Sequence, residues 1–400
     1  MSALTAVAMS GGLDSSVAAL LLARRQQPVV GLSMLLWDES DKPSRNGRCC
    51  GALDLGDARR VAEQVGIPHY TLRMDDEFRE NVVDPFVDDY LAGRTPSPCV
   101  SCNTWVKFDL LLARARTFGA GRVATGHYAR IVDGPEGREL HRAVDPAKDQ
   151  SYFLFELDQA QLAASEFPLG ELQKDAVREL AREARLVVAD KGESMEICFV
   201  SGTIRDFVES ELEGRKARVE GGERRSLLPI VSAGEPATLV DREGQVLGQG
   251  EPYYRYTVGQ RRGLGIAADR RLYVVEIDAA RNRVVVGDDA ELLAGGLEGE
   301  RLHWITPPAD GRAAVEATVR IRSRHGGVAA RIEPLEDGRA RVEFAEPQRG
   351  VAPGQAAVFY RGSQVLGGCW IQSAVPTRRQ LGIPEQAVEE LQAQPAGHEA

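Results

Sequence analysis

Ser10-Gly11-Gly12-Leu13-Asp14-Ser15-Ser16 stands between an apolar strand-like run, Ala3 to Met9, and a helix-like run, Val17 to Arg25. These residue types suit the holding of a phosphate. Gly11 and Gly12 lack Cβ atoms, so the chain can turn sharply and bring its amides close to an anion, and Ser15 and Ser16 add hydroxyl donors. The first N–H groups of the following helix have no internal partners, and its dipole is positive at that end. A Walker A loop would end in Gly-Lys-Ser/Thr, and no lysine follows here. The plainer reading is a helix cap supplied by Ser10 or Asp14.

Cysteine is the second reactive residue type. Cys99 and Cys102 form C-x-x-C in Thr95-Pro96-Ser97-Pro98-Cys99-Val100-Ser101-Cys102-Asn103, a proline-rich loop before a helix-like run, where a helix N-terminus favours thiolate. Cys198 follows the polar stretch Asp190-Lys191-Gly192-Glu193-Ser194. Two near thiols and a distant one suit redox sulfur chemistry or a metal centre. A zinc clip would add Cys49 and Cys50 to the C-x-x-C pair, and Cys198 also reads as a small buried residue between Ile197 and Phe199. In Thr125-Gly126-His127-Tyr128, Gly126 would admit a nucleotide to the backbone. His127 reads either as a phosphate donor or as a structural histidine.

The elements that must position these groups alternate up to about residue 200. Strand-like runs (Ala3 to Met9, Val29 to Leu36, Ile67 to Leu72, Arg122 to Thr125) are interleaved with helix-like ones (Val17 to Arg25, Asp57 to Val65, Phe78 to Ala92, Phe108 to Phe118), which predicts a parallel α/β sheet. Further helices are expected over Lys174 to Ala184 and Ile204 to Leu212. Gly66 and Gly119 fall where helix C-caps belong, and Pro85 predicts a kink or break. In such a sheet ligands lie beyond the carboxyl ends of the strands. The loops after the first, second and fourth strands, including Met34 and the polar segment Asp38 to Leu53, are therefore where a site is sought. From about Gly214 the chain turns to short apolar runs cut by Gly, Pro and Asp-Gly or Glu-Gly pairs, which predicts small β modules or barrels.

The chain has 400 residues, enough for two or three domains. No stretch reads as a membrane span, and no basic segment precedes an apolar one at the N-terminus, so a cytoplasmic protein is expected. Six cysteines are too few for a disulfide scaffold. The net charge of −10 speaks against non-specific coating of nucleic acid but leaves room for a local basic face. Seven arginines against three acids lie between Arg255 and Arg283. Arg320, Arg322 and Arg324 alternate, as if on one side of a strand.

The first loop resembles the PP-loop of ATP pyrophosphatases, which cut ATP between the α and β phosphates and adenylate a substrate oxygen. In order along the chain, M-S-G-G-L-D-S-S, G-R-T-P-S-P-C-V-S-C-N-T-W-V-K-F, A-T-G-H-Y-A-R, D-Q-S-Y-F-L, M-E-I-C-F, T-V-G-Q-R-R-G-L-G-I and P-G-Q-A-A-V-F-Y resemble the tRNA-specific 2-thiouridylases, from about residue 5 to 372. That resemblance implies a PP-loop α/β domain over 1–213, a small central β domain over 214–282, a tRNA-binding C-terminal β-barrel over 283–373 and a flexible tail over 374–400. It implies ATP held by Ala8, Met9, Ser10, Gly11, Gly12, Leu13, Asp14, Ser15, Met34 and Gly126, with Asp14 assisting Mg²⁺. It also implies tRNA contacts at Lys148, Asp149, Gln150, Arg322 and Ser323, a loop Ser97, Pro98 and Cys99 that meets the target base, and tRNA handling by His127 and Gln355.

Cys102 would be the nucleophile and Cys198 the persulfide carrier, charged by a cysteine desulfurase or sulfur-relay protein and left in a disulfide with Cys102 after turnover. The substrates implied are tRNAs for Lys, Glu and Gln. The best-known members carry Asp at the position of Cys99, so a second route is open in which Cys99, Cys102 and Cys198 ligate a four-iron four-sulfur cluster. The alternatives from other classes are a PP-loop enzyme that adenylates a small molecule, and a pure RNA-binding module.

Overall fold

The computed structural model describes residues 4–37, 52–192, 197–200, 202–220, 234–308, 310–377 and 380. Cys49 and Cys50, most of the 38–53 segment, Glu193 and Ser194 lie outside them. The first strand, β1 (Leu4–Ala8), buries its three central residues in succession, the pattern of a strand covered on both faces. It is followed by α1 (Leu13–Arg24), β2 (Val29–Leu35), α2 (Ala52–Val65) and β3 (His69–Arg73). Next, α3 (Asp75–Phe78) continues through a π-helical turn, Arg79–Val83, into α4 (Asp84–Leu91). Similarly, α5 (Pro98–Ser101) runs through a π segment, Cys102–Leu110, into α6 (Leu111–Thr117). After β4 (Ala120–Ala124) come β5 (Ala129–Gly134), β6 (Gly137–Arg142), α7 (Gln159–Ala163), β7 (Ser165–Glu166), α8 (Lys174–Glu183) and α9 (Ile204–Glu220).

The expected parallel sheet forms with order β3-β2-β1-β4-β7, every pairing parallel. Its order reverses between β1 and β4, so the crevice at their carboxyl ends is the topological switch point. Gly66 and Gly119 follow their helices at φ +75° and +82°, the left-handed conformation of a C-cap. At Pro85 the helix is irregular, as expected, without ending: the π turn Arg79–Val83 comes immediately before it, and the chain stays helical into α4. Helix α1 starts at Leu13, four residues before the sequence reading put it. Leu13 to Ser16 are therefore its first turn.

The second half is built from β8 (Thr238–Val240), β9 (Val246–Gln249), β10 (Tyr273–Asp278) and β11 (Arg283–Gly287), a four-stranded sheet ordered β10-β11-β8-β9. It continues with β12 (Leu293–Trp304), β13 (Val315–Arg320), β14 (Val328–Pro334), β15 (Ala340–Arg349), β16 (Ala356–Arg361) and β17 (Gln364–Pro376). The order β12-β15-β14-β13-β16-β17, with β17 pairing back to β12, closes a six-stranded barrel and leaves it no free edge of its own, except where β6 and β5 attach to β17. This hairpin comes from the first half of the chain and was not read from sequence.

Sequence reading also missed β12 and β17. Their glycines dilute the strand signal, yet Gly299 is needed because a Cβ there would lie 2.3 Å from Cys369 Sγ. The alternating arginines are a further correction. Strand β13 ends at Arg320, whose side chain is buried, and Arg322 and Arg324 lie in the turn beyond it.

Candidate active site

The seven-residue loop fills the switch point. Gly12 is the N-cap of α1, in extended conformation, and no side chain caps that helix, so neither Ser10 nor Asp14 plays the cap role. The serines brace the loop instead. Ser16 Oγ donates to Gly12 O at 2.8 Å, and Ser15 Oγ accepts from Ser10 N at 3.2 Å. Gly11 sits at φ +71°, and a Cβ on it would lie 2.0 Å from the Asp54 carbonyl oxygen, so only glycine satisfies both the conformation and the packing against α2. Gly126 is also a contact glycine, but its hypothetical Cβ would press on the Asp14–Ser15 backbone at 2.7 Å. Its first task is thus to let the end of β4 approach the start of α1. Met34 lies at the end of β2, packed between two core clusters.

Two lysines that sequence reading did not select complete the loop. Lys174 Nζ donates to both oxygens of Asp14, at 2.7 and 2.9 Å, and Tyr128 Oη donates to Asp14 Oδ1 at 2.8 Å. Lys174 is the first residue of α8, where the helix dipole disfavours a cation. That misplacement was the signal available in the sequence. Lys191 Nζ donates to Gly11 O at 2.8 Å, Asp54 at 2.5 Å and Asp57 at 2.6 Å, tying the loop to α2. Burial disfavours its ammonium, but the bonds to Asp54 and Asp57 outweigh that and raise its pKa.

Cys102 is buried, Cys198 half-buried and Cys99 exposed, and all three are thiols. Cys102 and Cys198 pack on the same apolar cluster, with Leu36, Phe78, Phe86 and Phe199, and Met34 and Trp37 at the carboxyl end of β2 abut it. That cluster reaches the carboxyl end of β2, the strand paired with β1. Among the described residues no group of three His, Cys, Asp or Glu side chains is arranged to hold a metal ion.

Ser97 and Pro98 open α5, with Cys99 after them. Gln355 Nε2 donates to Thr95 O at 2.8 Å and Pro96 O at 3.3 Å, so the barrel holds the loop that carries Ser97. His127 is buried between Phe108 and Phe167, with Nδ1 2.7 Å from Thr125 Oγ1. Burial, helped by the Lys107 charge, holds its pKa well below the ordinary imidazole value, so the ring is neutral at pH 7. Asp149 also faces inward, paired with Arg320 at 3.1 Å. Gln150 Oε1 accepts from Tyr128 N at 2.9 Å, while Lys148 stays half-exposed and Arg322 exposed beside the turn that holds Ser323.

Three family models match the chain: the tRNA methyl transferase HUP domain over residues 4–202, the tRNA methyl transferase PRC-barrel domain over 230–288 and the aminomethyltransferase beta-barrel domain over 294–371. The tRNA-specific 2-thiouridylase MnmA of Geotalea uraniireducens is 49% identical over 377 residues, covering 93% of this chain and 96% of its own. Its namesake from Geobacter metallireducens is 50% identical over 374 residues, covering 92% and 96%. The one from Solibacter usitatus is 49% identical, covering 92% and 98%. With this identity along nearly the whole chain, the chain belongs to the tRNA-specific 2-thiouridylase family.

Proposed function

We propose that this protein replaces the C2 oxygen of the wobble uridine of tRNA with sulfur at the expense of ATP, acting on the tRNAs for Lys, Glu and Gln. The observation that supports the reading is that Cys102 and Cys198, distant in sequence, pack on one apolar cluster that also takes in Leu36 and, packed against it, Met34 and Trp37 from the carboxyl end of β2, the strand paired with β1.

A uracil C2 oxygen is a poor leaving group, so it first attacks the α-phosphorus of ATP and expels pyrophosphate. Backbone donors at the start of α1 and the ammonium of Lys174 suit the charge that develops there. Mg²⁺, when bound with the nucleotide, supplies further stabilisation of the phosphates; Asp14, one carboxylate beside phosphate oxygens, is the residue suited to help hold it. A persulfide on Cys198, supplied by a desulfurase or relay protein, then attacks C2 through its terminal sulfur, and AMP leaves. The Cys102 thiolate attacks Cys198 Sγ and breaks the sulfur–sulfur bond. The electron pair stays with the sulfur on C2, giving the thiouridine and a Cys102–Cys198 disulfide that an external thiol reduces. In a variant of this route Cys102 first reduces the persulfide to bound sulfide.

The test is nucleoside mass spectrometry of unmodified tRNA incubated with the protein, Mg-ATP and a persulfide-generating desulfurase. Thiouridine is expected with wild type and none with Cys198→Ser. Its absence with wild type, in air and under anaerobic conditions alike, would overturn the proposal.

A further inference from the structure

One continuous run of polar contacts joins the barrel turn to the nucleotide loop. At the barrel end, the Arg320 guanidinium donates to the carbonyls of Ser323 and His325 and so shapes the turn that carries Arg322 and Ser323. The same guanidinium donates to Asp149 Oδ2 at 3.1 Å, in a pair whose side chains are only 11% and 5% exposed. Asp149 is covalently followed by Gln150, whose backbone N–H donates to Tyr128 O at 2.8 Å and whose side-chain Oε1 accepts from Tyr128 N at 2.9 Å. Tyr128 Oη then donates to Asp14 Oδ1, which Lys174 also holds. Aromatic rings fix the near end, since the Arg320 guanidinium lies 5.8 Å from the Tyr152 ring centre and 5.7 Å from that of Tyr360.

We infer that Arg320 is a positioning residue with two effects. It locks segments 148–150 and 322–325 into one surface, and through Asp149, Gln150 and Tyr128 it makes the setting of Asp14 depend on how that surface is occupied. The inference rests on the proposed function, because the occupant it assumes is the phosphate backbone of tRNA. Its physical basis is the low exposure of the ion pair. A pair with so little exposed side chain has few alternative partners, so a shift of the turn is passed to Asp149 more than it is absorbed by solvent. Tyr128 carries the same logic to the nucleotide, because its backbone is held by Gln150 while its hydroxyl holds Asp14. Asp14 then takes its working setting beside the nucleotide chiefly when the target RNA is seated.

A double-mutant cycle on the full-length protein tests this. The readout is pyrophosphate release from Mg-ATP with and without saturating unmodified tRNA, for wild type, Arg320→Lys, Tyr128→Phe and the pair. Each single change is expected to lower the stimulation by tRNA about 10-fold, and the pair also about 10-fold, since both cut one chain; independent sites would multiply to about 100-fold. Multiplying effects, or no effect of either change, would overturn the inference. Melting curves confirm folding, and if Arg320→Lys does not fold, Asp149→Asn takes its place in the cycle. Multiplying effects, or none, in a wild type that makes thiouridine would overturn the coupling alone. Failure to make thiouridine would overturn the underlying function and the coupling with it.

Discussion

Lys174 Nζ lies 2.7 and 2.9 Å from the two carboxylate oxygens of Asp14, joining the first residue of α8 to the second residue of α1. Asp14 is favourably placed at a helix N-terminus and Lys174 unfavourably, so the ion pair offsets the electrostatic cost of the lysine.

Lys174→Met is expected to lower tRNA-dependent pyrophosphate release by about 100-fold, the usual effect of removing one preorganised donor from a reacting centre. Lys174→Arg should not restore the rate, because a planar guanidinium does not reproduce a compact ammonium. Wild-type turnover of the Met variant would reduce Lys174 to a structural role.

The three thiols should separate by function. Cys102→Ser and Cys198→Ser are expected to abolish thiouridine formation, whereas Cys99→Ser, at an exposed position, should keep most of it. Protein purified anaerobically should carry no stoichiometric iron. Loss of product in Cys99→Ser together with bound iron and labile sulfide would revive the cluster route.

Gln355→Ala removes the amide that donates to the carbonyls of Thr95 and Pro96. Leaving these acceptors unmatched costs about 1 kcal/mol. Hydrogen exchange should quicken across residues 94–99 and KM for tRNA should rise several-fold. Unaltered exchange there would show that the barrel does not hold this loop.

His127 predicts an acid sensitivity. Burial first, and Lys107 second, depress its folded pKa well below 6.5, so between that depressed value and 6.5 the unfolded chain binds a proton that the folded one does not. The stability from this group is present in full above pH 6.5 and is lost as pH falls towards the folded value. In urea unfolding, His127→Gln should lose less stability than wild type between pH 7 and pH 5. Equal losses would assign the sensitivity to other groups.

Much of the first half was legible because its signals are local. Apolar runs of strand length alternate with helical ones, Gly66 and Gly119 mark helix ends, and Gly11-Gly12 beside Ser15 and Ser16 announces a tight turn at a helix start. The thiols could be named as reactive from residue type and spacing. The long Gly-rich strands of the barrel could not, because their glycines are explained by close approach of the neighbouring strands rather than by any local pattern. The arginine alternation misled for a related reason, since nothing local to Arg320 indicates that β13 ends there and that the side chain turns inward to Asp149.

The sequence by itself determined the parallel α/β sheet and the nucleotide loop and singled out the cysteines as candidate sulfurs, all of which follow from local conformation and side-chain chemistry. Only the tertiary structure decided which distant groups meet. It brought Lys174 to Asp14, Lys191 to Gly11, Gln355 to Thr95 and Arg320 to Asp149, and it attached the β5–β6 hairpin to the C-terminal barrel. The physical reason is that long-range pairs form where packed elements bring buried charges and unmatched carbonyls together, and that matching depends on the geometry of the whole fold.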